Sequence, residues 1–115
     1  METASERRVS MRKSVRFQVK YFYLPPEASP PITHTIDLSS VGARIETLDP
    51  LKLSASVSFF IVTPDVQVID ARAQIVHLEH AERPPYRAGV RFTYVSPSDR
   101  AALLCALMGA PNSGN

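Results

Sequence analysis

The residues that this sequence has in short supply narrow the classes of protein it can encode. The chain of 115 residues contains one cysteine and four glycines. The single cysteine, Cys105, excludes an intramolecular disulfide and favours a cytoplasmic location. With so few glycines, few loops can wrap closely around a substrate. No apolar run approaches the roughly 20 residues of a membrane-spanning helix, and residues 1–20 lack the apolar core of a secretory signal, so we expect no membrane insertion.

Residue patterns associated with catalysis and metal binding are also missing. No Ser-His-Asp or Cys-His set occurs in an activating local motif, paired carboxylates are not evident, and there is no Walker-type glycine loop. His77 and His80 are three residues apart in a predicted strand, which puts them on opposite faces and disfavours a metal site. We therefore expect a binding protein with no catalytic or metal-ligating residues and no cofactor.

Charge is distributed unevenly along the chain. The first 20 residues carry six basic and two acidic side chains, a net charge of +4, whereas the other 95 residues carry seven basic and nine acidic ones, a net charge of −2. The excess positive charge therefore lies in one short arm. Such an arm is either a solvated tail or a binding element for phosphates or an anionic surface.

Hydrophobic and polar residues alternate in six segments, as in strands with one buried face. A shift of this alternation predicts a bulge near Ile75. The residues predicted to face the core, strand by strand, are Val15, Phe17, Val19, Tyr21 and Tyr23; Ile32, His34, Ile36 and Leu38; Val41, Ala43 and Ile45; Ala55, Val57, Phe59 and Ile61; Ile69, Ala71, Ala73 and Ile75; and Tyr86, Ala88, Val90, Phe92 and Tyr94. Six short strands predict a mostly β fold, a small six-stranded antiparallel barrel.

The carboxyl end changes to a helical period. Ser96 is a candidate N-cap before Pro97, and Gly109 is a candidate C-terminal stop. The predicted apolar stripe consists of Leu103, Leu104, Leu107 and Met108, and Cys105 is expected to pack beside it. We thus predict three parts: a flexible basic arm over residues 1–13, a barrel with a C-terminal α-helix over 14–109, and a disordered tail over 110–115.

The basic arm contains three arginines with suitable chemistry for a nucleotide, Arg7, Arg8 and Arg12. Guanidinium groups make bidentate bonds to phosphate oxygens, match the O6/N7 edge of guanine, and stack on purine faces. Three of them in a flexible arm can surround an anion that bears two phosphates and two guanines.

The turn after the second predicted strand offers complementary groups. Asp37 and Ser39 are two apart, so at a strand end both side chains point the same way. A carboxylate can accept hydrogen bonds from the two adjacent donors of guanine, Ser39 adds a hydroxyl, and Gly42 permits a positive φ or the close approach of a ligand. The alternative is a structural Asx or serine turn that closes a hairpin.

At these residues the sequence resembles the PilZ domain family. Arg8 and Arg12 fit the pattern Arg-x-x-x-Arg, and Asp37, Ser39 and Gly42 fit Asp/Asn-x-Ser-x-x-Gly. The first motif leads into the first predicted strand and the second joins strands two and three, in the order that the family has.

The resemblance covers about residues 6–109, including segment 89–92 and the final helix. It implies a six-stranded barrel that binds the bacterial second messenger cyclic di-GMP. Arginines would hold phosphates and guanine, while Asp37 and Ser39 would hold a guanine edge. Members with an arginine before the first motif arginine tend to bind a stacked, intercalated ligand dimer, and Arg7 occupies that position.

Three functions follow as hypotheses. The first is a stand-alone cytoplasmic receptor whose arm becomes ordered on binding cyclic di-GMP and which then signals to a protein partner. The second is a nucleotide-independent adaptor of the kind that assists pilus assembly, although such proteins typically lack the arginine motif. The third, a barrel that binds single-stranded nucleic acid, is disfavoured because Phe17, Tyr21 and Tyr23 are in phase with the core.

Residues Arg44, His77 and Arg91 either lie near the site or serve in surface ion pairs.

Overall fold

The architecture follows from a computed structural model, which describes residues 12–23 and 33–109. Within those ranges it has six strands and one helix: β1 (Gln18–Tyr23), β2 (Thr33–Leu38), β3 (Gly42–Thr47), β4 (Ser56–Val62), β5 (Val68–Leu78), β6 (Tyr86–Val95) and α1 (Pro97–Met108). The strands close into a barrel in the order β1-β2-β3-β6-β5-β4, and every neighbouring pair is antiparallel. The predicted six-stranded antiparallel barrel with a C-terminal helix is confirmed.

The alternating residues of β4 and β5 fill the barrel interior as predicted. Phe59, Ile61 and Ile69 are fully buried, and Ile75 is 1% exposed. Because successive strand side chains point to opposite faces, these positions form a continuous apolar core while their neighbours face outward. The large apolar area removed from water here is the main favourable term in folding.

Helix α1 begins where the sequence predicted. The Ser96 hydroxyl accepts a hydrogen bond from the backbone N–H of Asp99, and Gly109 caps the other end. Leu103 and Leu107 are buried against the barrel. The prediction that Leu104 and Met108 belong to the packed stripe was wrong, because Leu104 is exposed and Met108 is 82% exposed.

The side of α1 that carries Leu104 and Met108 also carries Cys105, which is exposed and not a packing residue. A helix that packs on one barrel end buries only the positions that face it, so the apolar residues on its other side remain in solvent.

Strand β2 faces the core with residues that its apolar pattern did not indicate. Thr33 and Thr35 are fully buried, whereas His34 and Ile36 are half-buried. A bulge between Thr35 and Asp37 then returns Leu38 to the interior. The prediction that Ile32, His34 and Ile36 share a face with Leu38 was wrong for His34 and Ile36, and Ile32 lies outside the described residues.

The two buried threonines are stabilised by hydrogen bonds within the barrel wall. The hydroxyl of Thr35 donates to the carbonyl oxygen of Val15 at 2.6 Å and accepts from the N–H of Phe17 at 2.9 Å. The Thr33 hydroxyl donates to the Thr47 hydroxyl at 3.0 Å. Burial of polar groups costs little once they are paired, so these threonines occupy core positions.

Two register shifts alter the faces of β5 and β6. One lies between Ile75 and His77, which confirms the bulge predicted near Ile75. The other lies in β6, between Tyr94, which pairs with Arg72, and Phe92, which pairs with Ala73. This shift turns Tyr94 outward, where it is 62% exposed. The predicted inward position of Tyr94 was therefore wrong. Val41, in the turn before β3, was also wrongly predicted to face inward, since it is 44% exposed.

Candidate ligand-binding site

The segment before β1 lies along β2 and brings the two sequence motifs together. Lys13 and Leu38 exchange two backbone hydrogen bonds of 2.9 Å. One residue earlier, Arg12 donates from Nη1 to Oδ1 of Asp37 at 3.1 Å. The last residue of the arginine motif therefore contacts the first residue of the turn motif directly.

Ser39 stabilises the turn between β2 and β3. Its Oγ accepts from the N–H groups of Val41 and Gly42, both at 3.2 Å, and its backbone N–H donates to the carbonyl oxygen of Gly42 at 2.9 Å. The residue is only 1% exposed. In this structure, Ser39 has the role of the serine turn that the sequence offered as an alternative.

Gly42 is required by the close approach of β6. A Cβ at this position would lie 2.3 Å from the carbonyl oxygen of Val90, a backbone atom that cannot move aside. The sequence suggested a positive φ or space for a ligand, but the structure gives a different reason, which is contact between neighbouring strands.

Asp37 begins a row of outward-facing positions that crosses four strands. The bulge in β2 pairs Asp37 with Arg44 of β3, Arg44 pairs with Gly89 of β6, and Gly89 pairs with His77 of β5. We call these four residues the outer row. Neighbouring strands lie only about 4.8 Å apart, so the outer row is a contiguous strip of barrel surface.

A groove of about 360 Å³ follows three residues of this strip, Arg44, Gly89 and His77. It is lined by Arg12, Ser39, Val41, Gly42, Ala43, Arg44, Val76, His77, Glu79, Gly89, Val90 and Arg91. The volume is at the lower end of the range typical for small-molecule sites. Its position beside the turn and the last arginine of the arm makes it the candidate site.

The guanidinium groups of the groove are held by neighbouring side chains. Arg44 donates to both carboxylate oxygens of Glu79, with Nη2 and Oε1 3.0 Å apart. This bond raises the pKa of Arg44 and lowers the pKa of Glu79 from their ordinary values. Arg91 donates to Oε1 of Gln74 at 3.2 Å. The groove thus carries a net positive charge, but the guanidinium groups of Arg44 and Arg91 already have hydrogen-bond partners within the protein.

Four of the six predicted site residues lie together in the structure: Arg12, Asp37, Ser39 and Gly42. Arg7 and Arg8 lie outside the described residues, as do most of the predicted arm and the tail. Arg44, His77 and Arg91 line the groove, and Arg44 also forms the kind of surface ion pair that the sequence left open as its alternative role.

Glu79 and Gly89 also line the groove, although the sequence pattern did not predict that they would. The phase shift near Ile75 was the available signal, since it indicated which residues of β5 turn toward this face.

The opposite face of the barrel carries aromatic side chains that point outward. Phe22 and Phe60 make an edge contact with ring centroids 6.0 Å apart. A row of paired positions leads from Phe22 through Ser58 and Arg72 to the exposed Tyr94. Phe17, Tyr21 and Tyr23 are in phase with the core by sequence, whereas Phe22 and Phe60 lie on this outward face.

The described residues show neither a metal cluster nor a membrane-spanning helix. No group of three or more His, Cys, Asp or Glu side chains in residues 12–23 and 33–109 could hold a metal ion. Over the same ranges, no helix has the length and hydropathy needed to cross a membrane.

Comparison with known proteins identifies the family. The PilZ domain family model matches residues 6–109, nearly the whole chain. The chain belongs to the PilZ domain family, a family of cyclic di-GMP receptors whose domains bind ligands or act as adaptors. A search of curated proteins finds no significant match.

Solved structures of low sequence identity share the fold. The PilZ domain of YcgR from Escherichia coli, solved with cyclic di-GMP, has a TM-score of 0.69 at 17% identity, with 89% of this chain and 90% of that chain covered. The PilZ domain of CeSA from a cellulose-synthesizing bacterium has a TM-score of 0.66 at 20% identity, with 87% and 97% covered.

A third similar structure is longer than this chain. The Bacillus subtilis inhibitor of motility, MotI/DgrA, has a TM-score of 0.69 at 15% identity, with 86% of this chain covered. The match spans only 48% of the inhibitor, about half its length.

Proposed function

We propose that this chain is a cyclic di-GMP receptor that binds the nucleotide between its amino-terminal arm and the groove along β3, β6 and β5. The contact between Arg12 and Asp37 carries the proposal, because it brings the arginine motif and the turn motif within reach of one ligand. The YcgR domain of the same fold was solved with this nucleotide.

The roles of the site residues follow from their chemistry. Arg7, Arg8 and Arg12 bind phosphate oxygens and the O6/N7 edge of guanine. The carboxylate of Asp37 accepts from the two donors on the opposite guanine edge. Ser39 acts through its hydrogen bonds to the turn, and Gly42 acts by letting β3 and β6 approach; both position Asp37 rather than contact the base.

Ligand binding exchanges one set of contacts for another. In the structure Oδ1 of Asp37 is paired with Arg12, and in this proposal the carboxylate exchanges that partner for the two donors of guanine. The released guanidinium then binds a phosphate. Ordering the arm costs conformational entropy, and the phosphate and stacking contacts exceed that cost.

The arm also determines ligand stoichiometry and output in this proposal. Arg7 favours an intercalated dimer of the nucleotide, because family members with an arginine at this position tend to bind such a dimer. The ordered arm and ligand present a new surface to a downstream protein partner. A receptor for a bacterial second messenger acts in the cytoplasm.

Isothermal titration calorimetry with cyclic di-GMP tests the proposal. We expect the wild-type chain to bind with a Kd below about 100 μM. Asp37→Ala and Arg8→Ala should each weaken binding by roughly 10- to 100-fold, since hydrogen bonds to charged groups contribute about 1.5–3 kcal/mol.

Two matched variants serve as controls. Asp70→Ala removes an exposed aspartate from β5 outside the groove, and Arg100→Ala removes an exposed arginine from α1. Both should bind like the wild type. Absence of wild-type binding at ~100 μM ligand contradicts the proposal. Partner capture that is unaffected by the nucleotide would then support a nucleotide-independent adaptor.

A further inference from the structure

Helix α1 carries an apolar stripe on the side that faces away from the barrel. Ala101, Leu104, Cys105 and Met108 have the spacing i, i+3, i+4 and i+7, which places them on one helix face. All four are exposed, Leu104 by 43% and Met108 by 82%. Residues 101–109 include no charged side chain that would favour contact of this face with water. A contiguous exposed apolar surface of this kind marks a site of interaction.

A cavity of about 470 Å³ lies beside the stripe. It is bounded by the segment before β1, the turn after β4 and the second half of α1, which contributes Cys105 and Ala106. The side chains of Val15, Phe17 and Pro64 make much of its lining apolar. Cys105 thus belongs to both the stripe and the cavity lining, so an apolar side chain placed against Cys105 can enter the cavity.

The stripe is complementary to itself in an antiparallel arrangement. When two copies of α1 pair about a two-fold axis that passes between residues 104 and 105, Leu104 of one copy lies opposite Cys105 of the other. Ala101 of one copy then lies opposite Met108 of the other. Each large side chain meets a small one, so the helix axes can approach to about 8–10 Å. The two-fold symmetry makes every such contact twice.

Charge at the helix ends fits the same arrangement. The last turn of α1, which lies within the described residues, has no basic side chain, so the helix does not itself compensate the partial negative charge of its carboxyl end. Arg100 is exposed in the first turn, and the two-fold pairing places it opposite Gly109 of the other copy. Its guanidinium can there donate to the last carbonyl oxygens of that helix. In a parallel pair, Arg100 would instead lie beside the positive end of the other helix.

We propose that the stripe of Ala101, Leu104, Cys105 and Met108 binds a second copy of this chain, with the two α1 helices antiparallel. Leu104 of each copy points toward the cavity of the other, and Arg100 of each copy contacts the carboxyl end of the other helix. The proposal is independent of nucleotide binding, because neither the stripe nor the cavity includes a residue of the groove.

The size of the helix pair sets the expected strength of association. Two helices of 12 residues bury less than the roughly 800 Å² per partner of a standard interface. We therefore expect a dimer that forms with a Kd of about 10–100 μM.

Sedimentation equilibrium of the full chain without nucleotide, at roughly 5 to 500 μM, tests the proposal. The wild type should change from monomer to dimer over this range. Leu104→Glu puts a charge at the centre of the interface and should weaken the dimer by about 30-fold or more, while thermal stability stays unchanged because the position is exposed.

Leu48→Glu is the matched control. Leu48 is 59% exposed and follows Thr47, which pairs with Tyr86 at the start of β6, whereas α1 follows the end of β6. Leu48 therefore lies at the opposite end of the barrel from the helix. The Leu48→Glu variant should form the dimer as the wild type does.

Cys105 reports the arrangement of the two copies directly, because the chain contains no second cysteine. A short bismaleimide that alkylates two thiols can join only two chains, and both Cys105 side chains lie next to the two-fold axis. We expect a crosslinked dimer from the wild type. A variant with Cys105→Ala and Ser56→Cys, whose thiol is exposed on β4 away from the stripe, should give much less.

Three results would overturn the proposal. The first is a wild-type chain that stays monomeric up to ~500 μM, which would leave the stripe to a different protein. The second is a dimer that Leu104→Glu and Leu48→Glu affect equally, and the third is equal crosslinking through Cys105 and through Ser56→Cys. Because these measurements contain no nucleotide, their failure would leave the proposed function unaffected.

Discussion

Gly42 and Gly89 lie on neighbouring strands of the barrel and differ in what surrounds them. At Gly42 the carbonyl oxygen of Val90 occupies the space of a side chain, whereas at Gly89 the nearest atom is Cβ of His77 at an ordinary distance. Residue type alone does not distinguish the two, because the difference depends on how closely β3 and β6 approach at each position.

The first prediction concerns Gly42. Gly42→Ala puts a methyl group against a backbone oxygen, so we expect a loss of about 1–3 kcal/mol in the free energy of unfolding. Gly89→Ala is the matched control and should be neutral or slightly stabilising. Chemical denaturation measures both. Equal stability of the two variants would contradict the packing difference.

The second prediction concerns the buried hydroxyl of Tyr21. Burial of this side chain, which is 3% exposed, is the largest cause that raises its pKa to about 12. The unfolded chain has the ordinary value near 10, so the folded state holds this proton more tightly. The associated stability is present below about pH 10 and is lost as the pH rises through 12.

Tyr21→Phe removes this pH dependence. Between pH 9 and pH 11 the wild type should lose about 1 kcal/mol more than the variant in urea unfolding experiments. Tyr94→Phe, at an exposed position, should keep the wild-type profile. If Tyr21→Phe loses as much stability as the wild type over this range, the Tyr21 hydroxyl does not titrate as described.

At the scale of elements, irregularities in the strands decide which side chains the groove receives. The bulge in β2 places Asp37 opposite Arg44, and the bulge in β5 places His77 opposite Gly89. Each bulge shifts the inward and outward faces by one residue, so the outer row depends on both.

The sequence predicted regular elements better than irregular ones. Strand β4 and the first part of β5 could be assigned because strict alternation follows directly from burial on one face. The inward face of β2 could not, since Thr35 is buried through hydrogen bonds to Val15 and Phe17, which are distant in sequence. Alternation of hydrophobicity carries no information about such partners.

The third prediction concerns the start of helix α1. Ser96→Ala removes the hydroxyl that accepts from the N–H of Asp99, so the free energy of unfolding should fall by about 1 kcal/mol. Ser98→Ala, at an exposed position in the first turn, should change stability much less. Thermal unfolding compares the two, and equal losses would show that the cap contributes nothing specific.

At the scale of the whole molecule, the barrel has two different outer faces. One carries the outer row and the groove beside the arm, and the other carries Phe22, Phe60 and Tyr94. Closure of the sheet fixes which residues belong to each face, because it determines the neighbours of every strand.

The two motifs identified the family from sequence alone, and four of their residues lie together in the structure. Their meeting at Arg12 and Asp37 could be anticipated, because the first motif leads into β1 and the second ends β2. The positions of Glu79 and Gly89 in the groove could not, since β6 pairs with β3 and Glu79 reaches Arg44 across β6, in both cases over more than 30 residues of sequence.

Backbone amide chemical shifts, followed by NMR during titration with cyclic di-GMP, test the central claim most directly. We predict that the largest changes occur at residues 7–12, at Asp37–Gly42 and at Gly89, while the amides of Phe60 and Tyr94 stay unchanged. This result would place one ligand against the arm, the turn and the outer row. Changes confined to the opposite face, or to neither the arm nor the turn, would contradict the account.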